Sequence, residues 1–207
     1  MSIAKHHAEW LSLIEVSGPF LSLPVLVQRF PQGMDAHDPE HAKALRQVYE
    51  EWDQDQHGDR PDPAIHRQWI DWVLRSTLDL GDVLVEGQKI PQTLKADLAE
   101  HGETLRPDMV VMEPGGGKAR LLIQTYPFRQ KLSRVVDGKP WAASPDTRMM
   151  QLLHDTGVRI GLVTNGDQWM LVDAPKGETT GYASWYASLW LEEPKTLQAF
   201  RTLLSAV

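Results

Sequence analysis

Arg106-Pro107-Asp108-Met109-Val110-Val111 and, after a short gap, Leu121-Leu122-Ile123-Gln124-Thr125-Tyr126 decide how this chain is read. Each is a short apolar run bounded by turn residues, the pattern of a buried strand. The first run opens with a carboxylate directly after a proline, and the second ends in Gln-x-Tyr. Gly115-Gly116-Gly117 between them predicts a flexible turn, so the two runs are expected to be neighbouring strands. The glycines do not make a phosphate loop. That loop needs Gly-x-x-x-x-Gly-Lys-Ser/Thr ahead of a helix, whereas here Lys118 is followed by Ala119 and the second strand begins at once.

Working outward toward the C-terminus, residues 127–143 form a long polar connection that carries Arg129, Lys131, Arg134 and Lys139. Ser144-Pro145-Asp146 reads as a helix start, with a cap, a proline in the first turn and an acid beside it. Met149, Leu152 and Leu153 are expected to face the core, and Gly157 to close the helix. Val158–Val163, Asn165-Gly166 and Gln168–Val172 predict a hairpin with a type I′ turn. Residues 182–191 predict another strand, and Pro194 opens a last helix with Leu197, Phe200, Leu203 and Leu204 on its buried stripe.

Toward the N-terminus, residues 4–16 predict a helix, and residues 19–31 are broken by prolines. Asp38-Pro39-Glu40 starts a helix that runs to about Trp52. Residues 53–63 are a polar loop and the candidate boundary. Asp62-Pro63 starts a further helix over 64–79, ended by Leu80-Gly81. Residues 82–90 read as a strand interrupted by Gly87, and 92–105 as a polar stretch without an element. Strands alternating with helices in this order predict an α/β (α+β) domain over 61–207, a central mixed sheet flanked by helices, preceded by a helical N-terminal extension over 1–60.

The 207 residues hold no cysteine, which removes disulfides and thiolate zinc sites and fits a cytoplasmic protein. No apolar run reaches membrane-spanning length, and no signal peptide is expected. The formal net charge of −7 lacks the basic balance of a domain that grips DNA with its whole surface. DNA contact would therefore come from a local patch or a partner. The eight tryptophans are expected to build core and interface area rather than a base-stacking platform. His37 and His41 are four apart but separated by Pro39, no His-Glu-x-x-His pattern occurs, and no Gly-x-Ser-x-Gly elbow is present.

The order of carboxylate strand, apolar strand, helix and hairpin resembles the PD-(D/E)xK nuclease fold, so a restriction-endonuclease-like sheet is expected. Residues from about 64 to 204 further resemble the N-terminal region of large adenine-specific DNA methyltransferases of type IIG-like and DISARM-type restriction and phage-defence systems. The stretches that carry this are Leu105–Val111, Trp141–Met150, Gly157–Val172 and Gly177–Pro194. The Asn-Pro-Pro-Tyr-like motif of the methylase itself is absent. The resemblance therefore implies the N-terminal domain of a larger enzyme, or its separate equivalent, with a C-terminal methyltransferase domain or other defence subunits as partners.

In that family two carboxylates hold Mg²⁺ and a lysine helps to activate water. The resemblance places Asp108 at the first carboxylate, the one metal ligand retained. Gln124 falls on the second acid, where its carboxamide is a weaker ligand for a hard cation. Tyr126 falls on the lysine. Gln151 matches a glutamine of the following helix, but the tyrosine that often follows it is missing. A degenerate site at Asp108, Gln124 and Tyr126 is expected, with no cofactor unless the site is active, and Mg²⁺ in that case. Lys118 or Lys131 and Glu86 or Glu113 are the candidates for replacing the lost groups. A plainer role for Asp108 is a strand-end carboxylate bonded to backbone amides. Arg129, Lys131, Arg134 and Lys139 would face the phosphates of duplex DNA. Three functions follow: a catalytically silent domain positioning DNA or partner subunits, an active Mg²⁺-dependent endonuclease, and a protein-interaction module without DNA affinity.

Overall fold

The computed structural model describes residues 2–36 and 38–205. His37 lies outside the described residues, so its pairing with His41 is not addressed. The fold is mixed α/β, and the chain divides into two compact units.

The first unit joins Met1–Glu15, Leu21–Asp82 and Trp185–Val207. It contains helices α1 (Ile3–Leu11), α2 (Leu23–Arg29), α3 (Pro39–Gln56), α4 (Pro63–Trp72), α6 (Ala187–Trp190) and α7 (Pro194–Leu204). Asp38 and Asp62 cap α3 and α4 as their sequence signals predict, accepting from His41 N at 3.0 Å and Ala64 N at 2.8 Å. Tryptophans dominate the core. Trp52 stacks on Trp69 with centroids 5.4 Å apart, and Trp190 lies 4.8 Å from Phe200. Two histidines accept the indole protons, since Trp52 Nε1 donates to His66 Nδ1 at 3.0 Å and Trp10 Nε1 to His7 Nδ1 at 3.2 Å. Each indole proton is thereby satisfied inside the core.

The second unit joins Val16–Phe20 and Val83–Ser184. Its strands are β2 (Leu84–Glu86), β3 (Ala96–Leu98), β4 (Glu103–Leu105), β5 (Met109–Met112), β6 (Ala119–Thr125), β7 (Ile160–Thr164), β8 (Gln168–Asp173) and the first four residues of β9 (Gly181–Tyr186). With β1 (Glu15–Ser17), seven of them form a mixed sheet in the order β1-β9-β8-β7-β6-β5-β2, while β3 and β4 make a separate hairpin. β2, β5 and β6 are successively antiparallel, and β7 returns parallel to β6. The crossover between them is α5 (Pro145–Thr156), whose Met149, Leu152 and Leu153 pack with Val110, Leu122 and Val163 of the sheet. Gly157 closes α5 in the left-handed conformation at φ 71°. At Gly161 the helix comes so close that an added Cβ would sit 2.4 Å from Met149 Sδ.

Several local expectations fail for identifiable reasons. The predicted helix over 4–16 ends at Leu11, and Glu15–Ser17 is the edge strand β1. The helix over 64–79 finishes as a π-turn at Val73–Thr77. The reversal is made by Asp79 at φ 55°, not by Gly81, because Asp tolerates the left-handed region. Gly87 at φ 60° cuts the strand over 82–90 to Leu84–Glu86. The polar stretch 92–105 hides the β3–β4 hairpin, with only Ala96 and Leu105 among its strand residues fully buried. The strand over 182–191 stops at Tyr186, where Ala187–Trp190 turns helical. The turn at Asn165-Gly166 is not type I′, since that turn needs positive φ at both central residues and only Gly166 has it, at 91°. Among the described residues no helix is long and apolar enough to cross a membrane.

Candidate functional site

Asp108 immediately precedes β5, and Gln124 is the next-to-last residue of β6. Val110 and Leu122 are register partners on these strands, and both belong to the core cluster shared with α5. Alternation therefore puts Asp108 on the side of Val110, and Gln124 and Tyr126 on the side of Leu122, on one face of the sheet. Tyr126 extends the line of β6, its N–H donating to Thr164 O of β7 at 2.8 Å. Its hydroxyl lies 3.5 Å from Gln124 Oε1, a long contact. The sheet rim thus gathers the three residues expected there.

Each of the three is already engaged. Asp108 Oδ2 accepts from Thr125 N at 2.7 Å and from Thr125 Oγ1 at 3.2 Å. This is the strand-end role, a carboxylate finishing the ladder where backbone pairing ends. Gln124 is buried, and its Nε2 donates to Arg106 O at 3.1 Å. The Asp108 carboxyl remains open to solvent on one side, but crowding at the rim pushes its pKa up. The two Thr125 hydrogen bonds and the Lys139 charge oppose that rise. Burial, reinforced by the Asp108 charge and opposed by Arg148, pushes the Tyr126 phenol up to about 12. Tyr126 is therefore neutral across the physiological range and supplies no cation at the position where the sequence resemblance expects a lysine.

The replacement groups do not gather at this rim. Glu86 is the register partner of Met109, so alternation sets it on the face opposite Asp108. Glu113 and Lys118 pair through backbone at the far turn of the β5–β6 hairpin, Glu113 N to Lys118 O at 2.8 Å. Lys131 is exposed on the connection after β6. Gln151 Nε2 donates along its own helix to Asp155 Oδ1 at 2.9 Å. Among the described residues no three His, Asp or Glu side chains form a group that could hold a metal ion.

Beside the rim lies a cluster that reading the sequence missed. Arg148 on the first half of α5 is 4% exposed and forms an ion pair with Glu103 of β4. Its Nη1 donates to Glu103 Oε2 at 3.3 Å and to Trp141 O at 3.0 Å, while Glu103 Oε2 also accepts from Trp141 N at 3.1 Å. The guanidinium lies 5.9 Å from the Trp141 ring, and His101 stacks on that ring at 5.8 Å. Hydrogen bonding from Arg148 holds the Glu103 carboxyl below its usual range, helped by the Trp141 N–H. The available signal was an arginine next to Met149 and one turn before Leu152, on the buried side of an otherwise amphipathic helix.

The connection between β6 and α5 is held at several points. Asn165 Nδ2 donates to Phe128 O at 3.2 Å and to Gln130 O at 2.9 Å, and Leu132 is fully buried. Arg129, Lys131, Arg134 and Lys139 are all exposed on it. No salt bridge is formed by these four among the described residues. The chain matches no family model, no curated protein and no solved structure.

Proposed function

We propose that the chain is a catalytically degenerate nuclease-fold domain of a restriction-modification or phage-defence methyltransferase, and that it positions DNA for a partner domain or subunit. The strand and helix order supports the restriction-endonuclease-like reading. Three antiparallel strands, a crossover helix and a parallel fourth strand are what the sequence resemblance implies, with Asp108 and Gln124 on one face at the shared end of β5 and β6. The helical region before the sheet would then be the family's N-terminal extension.

The observation that carries the loss of catalysis is the state of the rim. Its one carboxylate accepts two hydrogen bonds from Thr125, its carboxamide is tied to Arg106 O, and a neutral phenol stands in the lysine position. A hydrolytic Mg²⁺ needs anionic oxygens around it and an activated water. The DNA half rests on four exposed cations, held on an anchored segment in a chain whose net charge is −7.

Fluorescence anisotropy with a short duplex, read over a salt series, tests the binding. Four phosphate contacts predict a slope of log K against log salt near −3.6, from about −0.9 per contact. Binding that is absent at low salt removes the DNA role and leaves the protein-interaction reading. Supercoiled DNA incubated with Mg²⁺ or Mn²⁺ should stay intact. Cleavage by the wild type that is abolished by Asp108→Ala would overturn the degenerate-site reading in favour of an active endonuclease.

A further inference from the structure

Four cations on a seventeen-residue connection (127–143) make a useful phosphate grip only if the segment is ordered before DNA arrives. Every long side chain or loop residue frozen on binding subtracts from affinity. The segment has no strand or helix of its own, so its order must come from anchors.

Two anchors bracket the cations. At the start, the Asn165 amide donates to the carbonyls of Phe128 and Gln130 on either side of Arg129. At the end, just past Lys139, the Trp141 backbone is held at both its N–H and its carbonyl. Glu103 accepts its N–H and Arg148 donates to its carbonyl, while Arg148 and Glu103 bind each other. Between them Leu132 is buried in the core, and Gln130 Nε2 closes onto Lys131 O and Arg134 O at 2.9 Å each. All of these groups belong to the same compact unit.

We infer that Glu103, acting through Arg148 and Trp141, is a positioning residue that fixes the end of the basic segment so that Arg129, Lys131, Arg134 and Lys139 meet phosphates together. The inference rests on the DNA-positioning reading above. It assigns a binding role to an acidic residue, which simple electrostatics would count against DNA.

That opposition makes the test sharp. Glu103→Gln removes a negative charge close to Lys139, so charge alone predicts tighter binding. Loss of the anchor predicts the reverse: about tenfold weaker duplex affinity, the equivalent of ordering two more side chains on binding. The salt slope should become shallower by roughly 0.9 for each phosphate contact no longer made in concert. Amide hydrogen exchange across 127–143 should speed up in the same variant, while β5–β8 keep wild-type protection. A variant that loses stability but keeps the wild-type slope and exchange in this segment would reduce Glu103 to a structural acid and overturn the inference. Unchanged or tighter binding does the same. If the wild type itself binds no duplex at low salt, the DNA reading fails first and the inference falls with it, an outcome distinct from wild-type binding that Glu103→Gln leaves intact. Should Glu103→Gln not fold, Asn165→Ser frees the other end of the segment and is expected to weaken binding with the same shallower slope. A wild-type slope in that variant counts against the inference equally.

Discussion

Glu103 and Asp108 are carboxylates five residues apart on the same compact unit, yet their surroundings push them in opposite directions. Glu103 faces a guanidinium and a backbone N–H, and its carboxyl is held low. Asp108 faces only the neutral donors of Thr125 within hydrogen-bonding reach, and crowding pushes its carboxyl up. The first therefore does its work as an anion, by holding chain segments together. The second spends its charge on Thr125 alone, with only the more distant Lys139 charge to favour its ionised form. The acid that family resemblance points to is the less committed of the two, and the acid it ignores is the better held.

The largest effect should come from breaking the committed side. Arg148→Met leaves Glu103 with the Trp141 N–H as its remaining polar contact in a largely covered position. Removing one partner of a buried pair costs about 3–5 kcal/mol. We expect roughly 3, the low end, because Glu103 keeps 12% of its side chain exposed. For a chain of this size that is a fall in Tm of about 6–12 °C, read by thermal denaturation. A change below about 1 kcal/mol would mean that the pair is replaceable by apolar packing, as some buried pairs are.

Gly161→Ala comes next. It drives a methyl into the fully buried Met149 and pushes α5 off β7, for about 2 kcal/mol of overpacking. Because α5 carries Arg148, the variant should also disturb the Trp141 anchor while leaving the Asp108–Thr125 bonds intact, which NMR shifts of those residues would report.

The two carboxylates should also give opposite pH slopes. A carboxyl whose native pKa is lowered contributes stability that is complete above its unfolded value and is lost as pH falls through the native one. Glu103 thus weakens the fold below about pH 4.5. A raised native pKa works the other way. Asp108 carries no penalty below its unfolded value of about 3.8, and a growing one as pH rises through the native value. Asp108→Asn keeps an acceptor for Thr125 N, so its effect at neutral pH should stay below about 1 kcal/mol. Urea unfolding at stepped pH should show the variant gaining on the wild type as pH rises from about 4.

Much of the frame was legible because the signals were local and strong. Asp38-Pro39 and Asp62-Pro63 gave true helix starts, Gly157 a true stop, and the apolar runs at 109–112 and 121–123 true neighbouring strands. At the rim, Asp108, Gln124 and Tyr126 fell on one face because strand parity is readable from spacing alone. What stayed hidden depended on distant partners. Asn165 looked like a turn residue, but its amide is spent on Phe128 and Gln130, more than thirty positions away. Glu103 lay unremarked in the polar stretch 92–105, because its partner Arg148 lies forty-five residues on. The return of 185–207 to the N-terminal helices leaves no mark in local pattern either.

Tyr126 offers the smallest and most specific probe of the uncommitted side. Its hydroxyl lies 3.5 Å from Gln124 Oε1 and also hydrogen-bonds the Arg148 guanidinium, so Tyr126→Phe should cost about 0.5 kcal/mol at neutral pH, the low end for a hydrogen bond. The difference should appear in base. The phenol ionises near 10 when unfolded but only at about 12 in the native rim, so the wild type is progressively destabilised as pH rises from 10 toward 12. The phenylalanine variant has no proton to lose there and should hold its stability over that window better than the wild type. Parallel alkaline unfolding curves for the two proteins would show that the phenol is not held neutral by its burial beside Asp108. The contrast between a committed and an uncommitted acid would then lose its electrostatic basis.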